Sequence, residues 1–325
     1  MDTTMQFSPA IYEHCAALID RRPWDVSRNG DLLFQAQSTA YRRYGHSPIV
    51  VGVDIYNLEA EAYGAVVMEP EGNGIPAITE HMLGEVSELN TLAPFPREAG
   101  RLPMVLAVAQ RLRDALPEAD VRVPVAGPFS VATNLVGFDD LLIAALMEPE
   151  MTRAALMHLA VGQAGFCRMV REAGLGIAFF ESAATPPLLS PEMFRGVALP
   201  PLHWLLQQAS EIMGVPVPCI MGGDTMPILD DLLSTGTRYV ICPAPGETDQ
   251  AAFMETMRAH PEVTVRINMA PEITARGDWP AVQAEVDRIA GVVQGRPNTC
   301  LGTGALPFET SPLTVARIGE YAAEL

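Results

Sequence analysis

Residues 215–229, VPVPCIMGGDTMPIL, read as one unit of an α/β fold: a buried strand, a turn and the start of a helix. Val215, Val217, Cys219 and Met221 alternate with Pro216, Pro218 and Ile220, the period of two that a strand requires. Gly222-Gly223 lets the backbone turn where a side chain would obstruct it. Asp224 or Thr225 is placed to cap a helix beginning near Met226-Pro227, a proline being tolerated in the first helical turn. Polar, glycine-rich strand ends of this kind are where α/β proteins carry their sites. The fold then depends on whether the unit recurs.

It recurs from residue 48 onward. PIVVGVD at 48–54 is a continuous apolar run ending in an acid, as a strand buried on both faces reads, and IYNLEAEAYG follows it as a short helix. Further strands are expected at 121–127 (VRVPVAG), 177–180, 238–242, 263–269 and 299–304, each followed by helical spacing, with room for one more near Ile75–Ile78. The helix after 127 should break near Gly137-Phe138, and helices are expected at Met151–Ala173, Met193–Met213, Trp279–Val293 and Pro312–Leu325. Eight parallel strands alternating with helices make an α/β fold of the (β/α)8 TIM-barrel type, here a single domain over 1–325 with a helical N-terminal extension over 1–47. An open doubly wound sheet is the competing architecture, yet no GxGxxG or GxxxxGK[ST] follows any strand.

Composition narrows the function classes. Lys+Arg 21 against Asp+Glu 39 gives a net charge of −18, which argues against a nucleic-acid or anionic-membrane surface and against a substrate with many carboxylates. The N-terminus lacks a basic segment followed by an apolar one, and no long uninterrupted apolar run occurs, so a cytoplasmic protein is expected. Five cysteines without a CxxC signal neither a disulfide framework nor a cysteine-only zinc site.

The expected strand ends supply mostly acids and amides: Asp54, Tyr56 and Asn57; Asn134; Glu181-Ser182; Asp224-Thr225; Glu247; Asn268; Thr303 and Glu309. Caps account for many of these. Asp54 and Glu181 each end a wholly apolar run directly, so each must face the barrel mouth or bear a desolvation cost. His81, beside Glu80 in a loop, is a candidate metal ligand or general base without a second histidine at metal spacing. Basic residues at the strand ends are scarce, Arg266 lying inside a strand.

VGVDIYNLEAEAYG (51–64), VAGPFSVATNLVG (125–137), GGDTMPILDDLLSTGTRYVIC (222–242) and GTGALPFETSPLTVARI (302–318), in that order, resemble the uroporphyrinogen decarboxylase superfamily. That superfamily is a (β/α)8 barrel containing the decarboxylase and cobalamin-dependent methyltransferases. Asp54 matches the decarboxylase's catalytic aspartate. The tyrosine expected after GPF(S/T) is replaced by Asn134, the histidine of the Gly-His-Gly strand by Thr303, and the arginine-rich N-terminal motif is absent. The zinc methyltransferases that activate thiols carry ligands that fall here on Ile220, Gly222 and Gly304 or Ala305, none of which binds zinc.

The resemblance therefore implies the corrinoid-dependent methyltransferase branch. Such an enzyme moves a methyl group from a small, uncharged or weakly charged donor (an aryl methyl ether, a methylthio compound or similar) to the cobalt of a partner corrinoid protein. Asp54, Glu181 and Asp224 are the candidate catalytic acids, and Tyr56, Asn57, Asn134, Asn268 and Thr303 the candidate substrate contacts. Zinc remains a candidate cofactor although its usual ligands are absent, with His81, Glu181 and Asp224 as substitute ligands. A homodimer is compatible with this reading. The alternatives are a decarboxylase of a small or porphyrinogen-like acid acting through Asp54, and a barrel that binds ligand without chemistry.

Overall fold

The structure, a computed structural model, describes residues 5–325. Its eight strands are β1 (Gln6–Phe7), β2 (Ile49–Val50), β3 (Val121–Ala126), β4 (Gly176–Phe180), β5 (Cys219–Ile220), β6 (Tyr239–Cys242), β7 (Thr264–Asn268) and β8 (Thr299–Gly302). Every strand pair is parallel, and the ladders run β2-β3-β4-β5 and β1-β8-β7-β6, together the cyclic order of a (β/α)8 barrel. Side chains span the two breaks between these ladders. Thr237 Oγ1 accepts from Cys219 N (3.0 Å) beside β5 and β6, and Ser8 Oγ donates to Ser47 O (3.1 Å) beside β1 and β2.

The N-terminal segment carries helices as expected, at His14–Ala17, Pro23–Arg28 and Gly30–Tyr44, but among the described residues it opens with a strand. Its first element is strand β1, paired with β8 through Gln6↔Cys300 and Phe7↔Leu301. The eighth strand is therefore at residue 6, and the segment near Ile75 makes only an isolated antiparallel bridge, Met68↔Ala77. Two residues carry too little periodicity to be read as a strand. The opening stretch is also shorter in the ladder than its alternation suggests. Pro216 and Pro218 have no N–H to donate, so regular pairing begins at Cys219.

Helix ends follow the expected chemistry. Asn29 accepts from Asp31 N and Leu32 N to start Gly30–Tyr44, which Gly45 closes in the left-handed region at φ 59°. The chain divides at Gly137 (φ 102°) into the helices Pro128–Val136 and Phe138–Met147, which meet at 115°. Among the described residues no single helix is long and apolar enough to cross a membrane.

Alternation within the strands separates two cores. Ile177, Phe179, Cys219, Val240 and Cys242 face the helices and join the main apolar core. Ala178, Phe180, Ile220 and Ile241 join Ile55 in a second cluster inside the barrel, with Tyr12, Tyr56 and Tyr239 against it. Cys219 is thus a packing residue.

Candidate active site

Asp54 ends β2's segment but does not present a free carboxylate to the mouth. Arg101 grips it through two bonds, Nη1 to Oδ1 at 2.7 Å and Nη2 to Oδ2 at 2.6 Å, and Asn57 Nδ2 adds a third at 3.0 Å. Arg101 Nε also binds Glu61 (2.6 Å), which pairs in turn with Arg28. The network fills the space between the strand end and the helices Pro23–Arg28 and Leu102–Ala115. Asn57's second amide bond goes to Pro76 O at 2.8 Å, so both its donors hold the turn.

Glu181 faces the N-terminus of helix Pro128–Val136. Its carboxylate accepts from Phe129 N (3.0 Å), Ser130 N (2.9 Å) and Ser130 Oγ. A carboxylate at a helix start satisfies orphan amides and suits the dipole. Gly127 makes the approach possible, since a Cβ there would stand 2.0 Å from Glu181 Oε2. Burial nevertheless raises the Glu181 pKa to about 7, against the lowering effect of Ser130 and the two amides.

A second buried acid lies beside it. Glu59, on the short helix Leu58–Tyr63, accepts from Ala126 N at 2.7 Å through Oε1, while Oε2 has no partner among the described residues. Burial lifts its pKa to about 8, with Glu181 adding to the rise. An acid in EAEAY reads as solvated, so nothing in the sequence singles out Glu59. The neighbouring Glu61 is held by arginines, and the Glu59/Glu61 pair two residues apart shows one acid on each side of that short helix.

The mouth itself is bridged by hydroxyls. Tyr56 Oη and Ser182 Oγ are 2.6 Å apart, Gly222 N donates to Ser182 Oγ at 2.9 Å, and Asn134 Nδ2 donates to Tyr56 O at 2.7 Å. This chain ties together the segments after β2, β3, β4 and β5. Burial pushes the Tyr56 phenol well above its usual range, the Ser182 hydrogen bond opposing it, so the phenol stays neutral. Its ring meets Phe180 edge-on at 5.9 Å.

The remaining candidates are scattered. Asp224, half-buried after β5, accepts from Met226 N at 3.3 Å, while the N-cap of the short helix Met226–Ile228 is Thr225, without a side-chain cap bond. Thr303 donates to Gly304 O (2.8 Å) and accepts from Ala10 N (3.4 Å). Asn268 keeps a buried Oδ1 without a partner among the described residues. His81 is exposed and 3.3 Å from Asn134 O. Among the described residues no group of three or more His, Cys, Asp and Glu is arranged to hold a metal, so His81, Glu181 and Asp224 do not form the substitute site. Ile220, Gly222, Gly304 and Ala305, where the resemblance implies ligands in thiol-activating relatives, carry no metal-binding side chain, so the residues present there do not fit zinc.

Sequence reading also leaves out Arg266. Period-two alternation puts it on the same face of β7 as Asn268, inside the barrel, and Val265 and Ile267 on the helix side. The signal in the sequence is the same alternation: an inward Asn268 puts Arg266 inward too.

The family pattern described as uroporphyrinogen decarboxylase (URO-D) matches residues 5–325. The chain belongs to that family. A methyltransferase from Methanosarcina mazei shares its fold at TM-score 0.82 and 18% identity, over 99% of this chain and 94% of that one. A putative vitamin-B12 independent methionine synthase from Listeria monocytogenes follows at TM-score 0.53 and 11% identity, over 100% and 97%. No curated protein matches the chain by sequence.

Proposed function

We propose that this barrel is the substrate-side methyltransferase of a corrinoid system. It takes a methyl group from a small donor, an aryl methyl ether, methylthio compound or similar, and delivers it to the cobalt of a partner corrinoid protein. Family membership and the fold likeness to a methyltransferase support an enzyme of this superfamily. The observation that carries the finer reading is the Tyr56–Ser182–Gly222 chain at the mouth. It occupies the place where, by the resemblance, thiol-activating relatives keep a soft metal ligand. A hydroxyl donor there suits an oxygen leaving group.

The chemistry requires such a donor. When the methyl carbon leaves an ether, the C–O electron pair stays on oxygen, and an alkoxide or phenoxide is a poor leaving group unless protonated or hydrogen-bonded. Reduced cobalt on a partner corrinoid protein would supply the electron pair for the new bond to carbon. Tyr56, kept neutral by burial, donates to the leaving oxygen, and Ser182 holds its hydroxyl in place. Asp224 stands at the same rim and is held by Met226 N, Asn134 fixes the Tyr56 backbone and Thr303 the turn at Gly304, while Asn268, whose Oδ1 is unpartnered among the described residues, is the amide left to orient the donor. Asp54, Asn57 and Glu181 act as positioning residues, since their polar atoms are engaged by Arg101, Pro76 O and the helix start.

Methyl transfer from a panel of aryl methyl ethers and methylthio compounds to reduced cobalamin should appear as a change in the cobalamin spectrum. No change across the panel overturns the proposal. A decarboxylase acting through Asp54 is the weaker reading, because both of that carboxylate's oxygens are bound to Arg101. Carbon dioxide release from a small acid would favour it instead.

A further inference from the structure

The barrel interior contains a cavity lined by residues of both ladders and of the segment around β1. Ser8, Tyr12, His46, Arg122, Tyr239 and Arg266 are its polar lining. The free space at its heart is small, about 30 Å³, enough for about two water-sized groups.

Arg266 is the unusual member. It is 7% exposed, and among the described residues no Asp or Glu lies within salt-bridge reach of it. Its Nε is buried without a hydrogen-bond partner. The other arginine of the lining, Arg122, is paired with Asp120 at 2.6 Å. The groups around Arg266 do not supply the missing charge: burial raises the pKa of Tyr12 to about 12 and of Cys300 to about 11, and raises that of Tyr239 further, so all three stay neutral. His46 is neutral as well, burial lowering it to about 4.

The protein also makes room for this side chain. A Cβ at Gly302 would stand 2.7 Å from Arg266 Cγ and 2.3 Å from Asn268 Oδ1, and Gly302 has no positive φ to require a glycine. Close packing, not backbone conformation, accounts for the glycine at 302. Buried guanidinium groups are ordinarily matched by carboxylates, because an unpaired charge away from water is costly.

We infer that the cavity beside Arg266, Tyr12 and Tyr239 binds the carboxylate of a small organic acid, whose negative charge completes the missing ion pair. A guanidinium takes a carboxylate through two parallel bonds, and Nε is one of the donors that such a pair uses. This site is separate from the proposed function, since Tyr56, Ser182 and Gly222 are not among the residues lining the cavity.

The test uses the full chain and calorimetric titration at constant ionic strength with acetate, acetamide, methoxyacetate and methoxyacetamide. The acids bind and their amides do not. Arg266→Met weakens acid binding on the order of thirtyfold or more, whereas Arg266→Lys, a point charge without the fork, loses less. Gly302→Ala, which displaces the Arg266 stem, weakens it too. Equal binding of acids and amides overturns the inference, as does undiminished acid binding in Arg266→Met or no acid binding at all. If acids bind through Arg266 and no donor yields methyl to cobalamin, the carboxylate site stands and the proposed function falls. If neutral donors are demethylated and acetate neither binds nor competes, the function stands and the carboxylate site falls.

Discussion

The rim above β2, β3 and β4 and the interior beside β7 and β8 treat buried charge in opposite ways. At the rim, Asp54 and Arg101 saturate one another, and Glu181 is met by two amides and a hydroxyl. Inside the barrel, Arg266 Nε and Asn268 Oδ1 are left without partners among the described residues. A satisfied buried charge explains itself as architecture. An unsatisfied one asks for something the chain does not contain.

Cutting the rim pair should have the largest effect. Arg101→Met leaves Asp54, whose side chain is 2% exposed, unpaired in the interior, and denaturant unfolding should show a loss of about 3–5 kcal/mol. Arg266→Met, measured without added carboxylate, should be close to neutral, because no carboxylate of the described chain is orphaned by it. A comparable loss in both variants would erase the distinction.

Tyr56→Phe sharpens the comparison from the catalytic side. Removing the phenol should slow methyl transfer from aryl ethers on the order of a hundredfold in kcat while leaving methylthio donors less affected, since a thiolate departs without a proton. Equal slowing with both donors would assign Tyr56 to packing. Gly302→Ala should then cost about 1–3 kcal/mol by overpacking against Arg266 and Asn268. Gly196→Ala, inside the helical segment Phe194–Ala198 with nothing within 4 Å, should instead stabilise by up to about 1 kcal/mol in the same unfolding measurement.

The smallest effect concerns Glu59. Its pKa rises from 4.5 unfolded to about 8 folded, so the folded state holds more protons between those values. Stability attributable to it is full below about pH 4.5 and is lost as pH climbs through about 8. Glu59→Gln mimics the protonated acid, should change stability by about 0.5–1 kcal/mol at pH 5, and should flatten the decline toward pH 8. Unfolding curves with the same pH slope as the parent would show that Glu59 is ionised in the fold.

Much of the barrel was legible because continuous apolar runs ending in polar turns recur at helix-length spacing. The runs at 121–127 and 263–269 show it directly, as does the break at Gly137. β1 escaped because two residues carry no period, and it exists only because β8 offers an edge to pair with. Of the candidate site, Tyr56, Asn134 and the Glu181-Ser182 junction do meet, but the partners that decide their roles come from distant positions. An acid ending an apolar run must face the mouth or bear a desolvation cost, and the sequence cannot choose between these for Asp54 because its partner, Arg101, stands 47 positions away in a loop-like segment.

By itself the sequence determined the alternation of strands and helices and the family. Those properties are local, set by side-chain period, turn chemistry and residue type. Only the tertiary structure decided which charges are matched. Asp54 and Arg266 both follow from strands that read as apolar, yet one meets a guanidinium across the strand–helix layer and the other meets neutral phenols and a thiol inside the barrel. Pairing of buried charge depends on distances between segments far apart in the chain, and no periodicity within a strand encodes them.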